Sequence, residues 1–245
     1  MKTDSHKRSA ILAAALHEFA AEGLAGARTD AIARAARVNK ALIHYYFADK
    51  ETLYGATLDY VFSGLHARVM AVLRLDAPPR QKLLAYVETH FDYVASVSAY
   101  PQLVQGEMLR PHGSPHIRSI TEKYMRPISV ALQSIIQGGI DSGDFRSVDP
   151  SQAAASMVAI IVFYFTSRPL LQKLLDYDPL DPPRLAERRA AVLDFISAAM
   201  FAGSPSRHSS RRSSASPARR PASAKKGGRH APVSRSPQSK RGVTR

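Results

Sequence analysis

Side chains able to hold a phosphate group are concentrated between residues 29 and 50, where hydroxyl, imidazole, phenol and ammonium groups follow one another closely. Such donors bind phosphate oxygens without reading a base sequence, and a lysine can also donate to the edge of a guanine. The chain has no cysteine, which excludes disulfides, thiolate metal sites and cysteine nucleophiles. It also has no glycine-rich phosphate loop. We therefore expect a nucleic-acid-binding protein that is not an enzyme and uses no cofactor.

Two short helices around a tight turn must position these groups. Residues 29–47 meet the steric demands of a helix-turn-helix, in which small residues are needed where the helices cross. Ala33 lies at that crossing, and Thr29 and Asn39 are predicted to cap the first and second helix. The small core between the helices is filled by Ile32, Val38 and Ile43. The second helix is therefore expected to enter the major groove of double-stranded DNA.

The same segment resembles the N-terminal signature of the TetR (tetracycline-repressor) family of transcriptional regulators. That signature combines an amphipathic helix, a helix-turn-helix, an aromatic cluster and a lysine that opens the next helix. The match extends over residues 9–58 and is carried by Val38-Asn39-Lys40, His44-Tyr45-Tyr46-Phe47, Asp49-Lys50-Glu51 and Leu53-Tyr54. The resemblance implies a sequence-specific transcriptional regulator, namely a repressor that a small-molecule ligand releases from its operator.

The resemblance also implies roles for individual residues. Five residues are implied to contact phosphates or to position the protein on them, namely Thr29, His44, Tyr45, Tyr46 and Lys50. Three residues are implied to lie at base edges, namely Lys40, Ala41 and Leu42. The predicted DNA-binding set is completed by Arg37 and Asn39. Arg37 departs from the family pattern, because glycine is frequent there and the turn tends toward positive φ. Leu42 replaces a frequent hydroxyl or amide residue, so we predict that it packs on a thymine methyl group.

Helical periodicity dominates the chain and predicts an all-α fold. We expect a helix-turn-helix domain of three helices over residues 1–48, a helical ligand-binding and dimerisation domain over 49–202, and a disordered tail over 203–245. The first helix is expected to run from about Asp4 to Gly23, and Pro127 is expected to bend or divide a long helix over residues 117–140.

Two histidines at metal-ligand spacing, His112 and His116, raise the alternative of a metal site. That spacing brings two ligands together only on a continuous helix. Gly113 and Pro115 lie between them, so residues 111–115 are predicted to form a loop. We therefore expect no metal site.

Candidate ligand contacts lie in the middle of the chain, where the resemblance implies a cavity. They combine apolar surface with hydrogen-bonding tips, and they are His90, Tyr93, Met108, Tyr124, Met125 and Tyr164. The charged residues near them in sequence, Glu107, Arg110 and Arg126, are expected to face solvent, because burying an unpaired charge is costly.

The last two predicted helices are richly apolar, and in the family such helices pair two copies of the chain into a homodimer. The residues expected at this interface are Ala153, Ala154, Met157, Ile160, Ile161 and Tyr164 from one helix and Leu193, Phe195, Ala198 and Ala199 from the other. A dimer of this kind is expected to bind a near-palindromic operator through two recognition helices.

The positive charge of the chain is concentrated in its last residues. Residues 203–245 hold twelve of the 34 Lys and Arg and no acidic residue, which leaves 22 basic against 20 acidic residues, or +2, in the remainder. The tail can be idle or can add non-specific DNA affinity. A rival interpretation follows, in which the protein is a non-specific, nucleoid-associated dimer and the tail is its main binding element.

The expected location is the cytoplasm, in association with the nucleoid. The most apolar stretch, residues 153–166, is shorter than the roughly 20 residues of a membrane-spanning helix. An apolar run near the N-terminus is interrupted by His17 and Glu18, which is atypical of a signal peptide.

Overall fold

Eleven α-helices follow one another along residues 2–110 and 114–202, the part of the chain that the computed structural model describes. They are α1 (Lys2–Gly26), α2 (Thr29–Ala35), α3 (Lys40–Phe47), α4 (Lys50–Leu73), α5 (Pro79–Ser96), α6 (Tyr100–Met108), α7 (Pro115–Ile120), α8 (Arg126–Asp141), α9 (Pro150–Thr166), α10 (Arg168–Leu175) and α11 (Pro182–Met200). Within these residues an isolated bridge between Phe145 and Phe201 is the sole β-type pairing. The all-α prediction is confirmed.

The first three helices form a head around one small core. The apolar stripe predicted for α1 packs against α2 and α4, and its buried members are Ile11, Leu12, Ala15 and Phe19. Ile32 from α2 and Phe47 from α3 complete this core. Glu18 accepts a hydrogen bond from the backbone N–H of Arg28, which ties α1 to the start of α2. The head is thus held by both apolar and polar contacts with α1.

Helices α4 to α11 form the remainder of the described chain around α5. This helix packs against α4, α8, α9 and α11, and its buried face includes Leu83, Val87 and Phe91. The helix predicted over residues 117–140 is divided, because a π-helical turn, Thr121–Met125, separates α7 from α8 just before Pro127. A π-turn is one of the known causes of a local distortion in a helix. The effect predicted for Pro127 is therefore confirmed.

Several predicted boundaries are wrong. The first helix begins before Asp4. Its helical backbone stops at Gly23 as predicted, where φ is 65° and ψ is 177°, and a further helical turn continues to Gly26. Thr29 is the first residue of α2 and does not cap it; Arg28 takes the cap position. Helix α10 has no counterpart among the predicted helices; none of its residues is fully buried, and Leu171 packs against the edge of the core.

No single helix among the described residues is long and apolar enough to cross a membrane. Helices α9 and α10 meet a length and composition criterion only when taken together, and the pair is bent by 72°.

Phe19 joins the head to α4, because its ring packs edge-to-face on Tyr54 at 4.9 Å between centroids. We expect Phe19→Ala to lower the free energy of unfolding by about 3–5 kcal/mol, the usual effect of emptying a buried phenyl site. Tyr60→Ala is the control, because Tyr60 is 51% exposed on the same helix α4. Urea unfolding followed by circular dichroism measures both. A loss below about 1 kcal/mol in the Phe19 variant would contradict this packing.

Candidate nucleic-acid interface

Helices α2 and α3 are joined by a tight turn closed by backbone hydrogen bonds. The N–H of Val38 donates to the carbonyl of Ala33 at 3.0 Å, and that of Arg37 to the carbonyl of Arg34 at 3.1 Å. The side chain of Asn39 accepts a hydrogen bond from the N–H of Ala41 at 2.9 Å. Asn39 therefore caps α3 as predicted, and α2, the turn and α3 have the geometry of a helix-turn-helix.

The turn contains a residue in the left-handed region. Arg37 has a φ of 55°, which agrees with the positive φ expected at this position. A side chain with a Cβ adopts this region at a cost, whereas glycine does not. The exposed guanidinium of Arg37 thus stands at the edge of the interface while its backbone lowers stability.

A shallow groove runs along the start of α3. It encloses about 640 Å³ and is lined by Lys7, Arg37, Val38, Asn39, Ala41, Leu42 and Tyr45. Five of these residues belong to the predicted DNA-binding set. Tyr45 is 77% exposed, so its ring contributes little to the core. The groove brings a phenol, a guanidinium and an ammonium to one surface, where they can reach phosphate oxygens.

Lys40, predicted at a base edge, is paired with Asp30 of α2. Its Nζ lies 2.9 Å from the nearer carboxylate oxygen, and both side chains are about half exposed. The Lys40 ammonium holds the pKa of the Asp30 carboxyl below its usual value. Because exposed ion pairs contribute little energy, Lys40 can leave Asp30 for a stronger acceptor.

Lys50 has a different environment from the one expected of a phosphate contact. Its Nζ donates to the carbonyls of Ala25 at 3.0 Å and Ala27 at 3.1 Å. These carbonyls lie at the end of α1 and just beyond it, where carbonyls lack helical partners. Lys50 therefore binds the head to the start of α4. This is a positioning contact, one of the two roles that the resemblance implies for Lys50, and its contact with a phosphate stays a prediction.

The remaining predicted contacts lie along α3 or at the start of α2. His44 is exposed, and its Nδ1 is 3.0 Å from the carbonyl oxygen of Ala48. Tyr46 is half-buried, with its ring 5.2 Å from that of Tyr45 and 6.1 Å from that of Phe47. Thr29 is half-buried at the first position of α2. The exposed part of the predicted set is thus gathered on α3 and the turn before it.

Replacing Arg37 with glycine is expected to raise the free energy of unfolding by about 1 kcal/mol, because glycine adopts a positive φ without strain. Arg34→Gly is the matched control, since it makes the same change inside α2 and is expected to lower stability by about 1 kcal/mol. Thermal unfolding of both variants measures the difference. Equal losses in the two variants would contradict the strain assigned to Arg37.

The six candidate ligand contacts are not brought together. His90 is buried, with its Nδ1 3.1 Å from the hydroxyl of Tyr86, and burial lowers its pKa to about 4. Burial raises the pKa of Tyr93 to about 12, and its hydroxyl donates to the carbonyl of Val61. Tyr164 donates to the carbonyl of Pro179. These three polar tips are thus occupied by different parts of the protein.

Two other candidates lie in the π-helical turn, and one points to solvent. Tyr124 donates to the carboxylate of Asp59 at 2.6 Å, and the neighbouring Met125 is half-buried. Met108 is 73% exposed, because it lies on the outer side of α6. The prediction that Met108 lines an internal cavity is therefore wrong for the single chain.

Clefts between α1 and the sensing half, which comprises helices α4 to α11, are lined mainly by residues that the sequence does not single out. One of about 560 Å³ includes Tyr93, Tyr60 and Arg68. Another, of about 420 Å³, includes His17, Gln102, Phe165 and Arg168. Their residues come from α1, α4, α5, α6, α9, α10 and α11 and the segments between them. A set distributed over so many helices has no local sequence pattern.

Glu107 of α6 also differs from expectation, because it is 3% exposed rather than solvent-facing. Its Oε1 accepts from the hydroxyl of Tyr54 at 2.8 Å and from Arg110 at 3.3 Å. Burial, followed by this hydrogen bond, raises the pKa of Tyr54. An internal ion pair thus lies close to the start of α4.

Comparison with known proteins matches both parts of this architecture. Residues 11–57 match the model of bacterial regulatory proteins of the tetR family, and residues 79–196 match the tetracyclin repressor-like C-terminal domain. The transcriptional repressor NicS of Pseudomonas putida is 31% identical over 196 residues, which cover 78% of this chain and 88% of NicS. The chain belongs to the TetR family. It is therefore a sequence-specific DNA-binding transcriptional regulator of the helix-turn-helix type.

Solved structures of TetR-type regulators share the fold. The ketosteroid regulator KstR2 of Mycobacterium tuberculosis superposes with a TM-score of 0.66 at 19% identity, covering 80% of this chain and 95% of KstR2. FadR of Bacillus subtilis, solved in complex with stearoyl-CoA, gives a TM-score of 0.61 at 21% identity, covering 77% and 96%. Similarity at this level shows that the TetR fold extends beyond the helix-turn-helix into the sensing half.

Proposed function

We propose that this TetR-family protein is a homodimeric repressor that a small-molecule effector releases from a near-palindromic operator. The observation that carries the proposal is the groove at the start of α3, where a capped helix presents exposed donors beside a strained, exposed arginine. Two such helices in a dimer would meet successive major grooves about 34–36 Å apart. Repression follows where the operator overlaps a promoter.

The proposed division of work on the DNA follows from exposure and pairing. Lys40, Ala41 and Leu42 reach base edges, and Leu42 contacts a thymine methyl group. Arg37, His44, Tyr45 and Tyr46 contact phosphates or position the helix on them. Asn39 caps α3, Lys50 holds the end of α1 in place, and Thr29 contacts a phosphate or positions α2 on it. Lys40 exchanges Asp30 for the DNA when the complex forms.

The proposed dimer interface is the outer side of α9 and α11. On α9, Val158 and Phe163 are 38% and 61% exposed, and on α11 Phe195 is 60% exposed. Four residues predicted for the interface are instead buried inside the protomer, namely Ala154, Met157, Ile161 and Tyr164. Exposed apolar side chains on neighbouring helices favour burial against a second copy of the same surface.

The proposed domain limits are residues 1–48 for DNA binding and 49–202 for ligand binding and dimerisation. The effector site is proposed in the clefts between α1, α5 and their neighbours, which have the size of a small-molecule site. FadR, which shares this fold, is solved in complex with stearoyl-CoA, and this supports the proposal that the present chain also binds a small molecule. We place the protein in the cytoplasm with its DNA.

The effector mechanism is tested by the reciprocity of linked binding. An effector found by thermal-shift screening should weaken operator affinity by some factor, and the operator should weaken effector affinity by the same factor. Titration calorimetry with and without operator DNA measures the second factor. A compound that binds tightly yet leaves operator affinity unchanged is not the effector, and a screen that yields only such compounds would contradict ligand release.

The basic tail gives the second candidate function, in which residues 203–245 supply most of the DNA affinity; they lie outside the described residues. Replacing their twelve Lys and Arg with glutamine is expected to flatten the dependence of log affinity on log salt by about 0.9 for each phosphate that the tail no longer neutralises. Operator preference is expected to persist. An unchanged slope would show an idle tail. Loss of most of the DNA affinity with the tail charges, together with no operator preference in the parent chain, would favour the non-specific function.

A further inference from the structure

A cluster of charged and polar side chains connects α6 and α7 to the first turn of α4. Arg110 is at its centre: its guanidinium lies 3.3 Å from Glu107 Oε1, 3.6 Å from Glu51 Oε1 and 3.3 Å from the hydroxyl of Ser114. His116 Nε2 lies 2.9 Å from the same oxygen of Glu51. Two carboxylates from different helices are thus held by one arginine and one histidine.

The cluster is closed by aromatic and backbone contacts. The hydroxyl of Tyr54 donates to Glu107, and the Tyr54 ring packs edge-to-face on His116 at 5.6 Å between centroids. A methyl group at Gly55 would lie 2.8 Å from the His116 ring, so this ring rests directly on the α4 backbone. Helix α4 is therefore fixed in position against α6 and α7 by both charge and shape.

The opposite side of the same helical turn holds the DNA-binding head. Lys50 binds the carbonyls of Ala25 and Ala27, and Glu51, the next residue, belongs to the cluster. The link to α3 is tight, because Ala48 has a φ of 55° and the N–H of Asp49 donates to the carbonyl of Phe47. A strained three-residue turn of this kind leaves little slack. Movement of the first turn of α4 is therefore transmitted to α3.

We propose that Glu107, Arg110 and Glu51 are positioning residues for operator binding, which hold the first turn of α4, and with it α3, in the place that fits the operator. This inference rests on the proposed dimeric repressor. Glu107 is the anchor because it is buried and approaches Arg110 from the sensing half.

The matched control is a second arginine with two carboxylate partners. Arg189 of α11 pairs with Asp92 and Glu88 of α5, and its side chain is 34% exposed, compared with 30% for Arg110. Replacing either arginine breaks ion pairs with two carboxylates. Of the two, only Arg110 touches the first turn of α4, so the variants separate a general loss of stability from a loss of positioning.

The experiment uses the full chain with Glu107→Gln, Arg110→Gln, Glu51→Gln and Arg189→Gln, and measures operator affinity without effector. Glu107→Gln and Arg110→Gln are each expected to weaken operator binding about tenfold, within the usual range of coupling between sites. The double variant with both substitutions is expected to bind no more weakly than either single variant, because both substitutions break the same cluster. Glu51, which is exposed, keeps the test valid if the buried variants fold poorly, and its variant is expected to weaken binding about threefold.

A spectroscopic readout separates positioning from stability. Because the chain has no cysteine, Ala35→Cys at the exposed end of α2 allows one spin label to be attached to each protomer. Double electron–electron resonance spectroscopy then measures the distance between the labels on the two heads. We expect this distance distribution to broaden in the Glu107, Arg110 and Glu51 variants and to stay narrow in Arg189→Gln. Unchanged affinity and distances in the first three variants, or equal losses in Arg189→Gln, would overturn the inference. If the labelled parent chain shows no measurable distance between two spin labels, the proposed dimer is overturned, and this inference with it.

Discussion

Lys40→Glu is expected to lower operator affinity at least about 100-fold, because it removes a base-edge contact and places a negative charge beside the phosphates. In the free protein Lys40 is half exposed and forms an ion pair with Asp30. The Lys40→Glu substitution therefore leaves the core of the head intact, and the thermal stability of the protein is expected to change little. Fluorescence anisotropy with a labelled operator duplex measures the affinity.

The control for this variant is Lys173→Glu, which makes the same change in net charge at an exposed residue of α10. If affinity depends only on net charge, both variants weaken binding equally. We expect a small effect for Lys173 and a large one for Lys40. Retention of parental affinity by Lys40→Glu would show that α3 is not the element that meets the bases.

Introducing a charge on the outer side of α9 and α11 is expected to give a monomer and a loss of operator affinity of at least about 100-fold. The variant combines Phe163→Glu with Phe195→Glu, whose parent side chains are 61% and 60% exposed. Two charged groups cannot be buried without partners across a two-fold interface. A monomer holds only one half-site, so it loses the gain of about 10²–10⁴ from binding both.

Sedimentation velocity measures the oligomeric state, and anisotropy the affinity. Leu75→Glu is the control, since Leu75 is 48% exposed beyond the end of α4 and lies on neither α9 nor α11. We expect it to remain dimeric and to bind the operator. A double variant that is still dimeric would place the interface elsewhere, and a monomer with parental operator affinity would remove the need for a dimer.

The parts of the fold that depend on local sequence could be predicted. Asn39 caps α3 because its side chain reaches an N–H two residues away, and Arg37 has the positive φ that is expected at its position in the turn. Pro127 follows the π-helical turn that divides its helix. In each case the cause and the effect lie within a few residues.

The parts that depend on distant contacts could not be predicted. Lys50 finds its carbonyl partners 23 and 25 residues away, so its position in the motif does not show which carbonyls it binds. Glu107 is buried because Tyr54, 53 residues earlier, donates to it. The candidate ligand residues have suitable side chains on single helices, whereas the clefts are assembled from several helices. Composition cannot show which side chains of different helices meet.

Whether the head or the tail selects the DNA can be measured by selecting bound duplexes from a random pool at physiological salt. The full chain and the variant with glutamine in place of the twelve tail Lys and Arg are compared side by side. If the head selects, both proteins enrich the same near-palindromic site, with half-sites about 10 base pairs apart, and this is the result that we expect. The account would be contradicted if neither protein enriches a site and only the chain with its tail Lys and Arg intact binds DNA, in a salt-sensitive way.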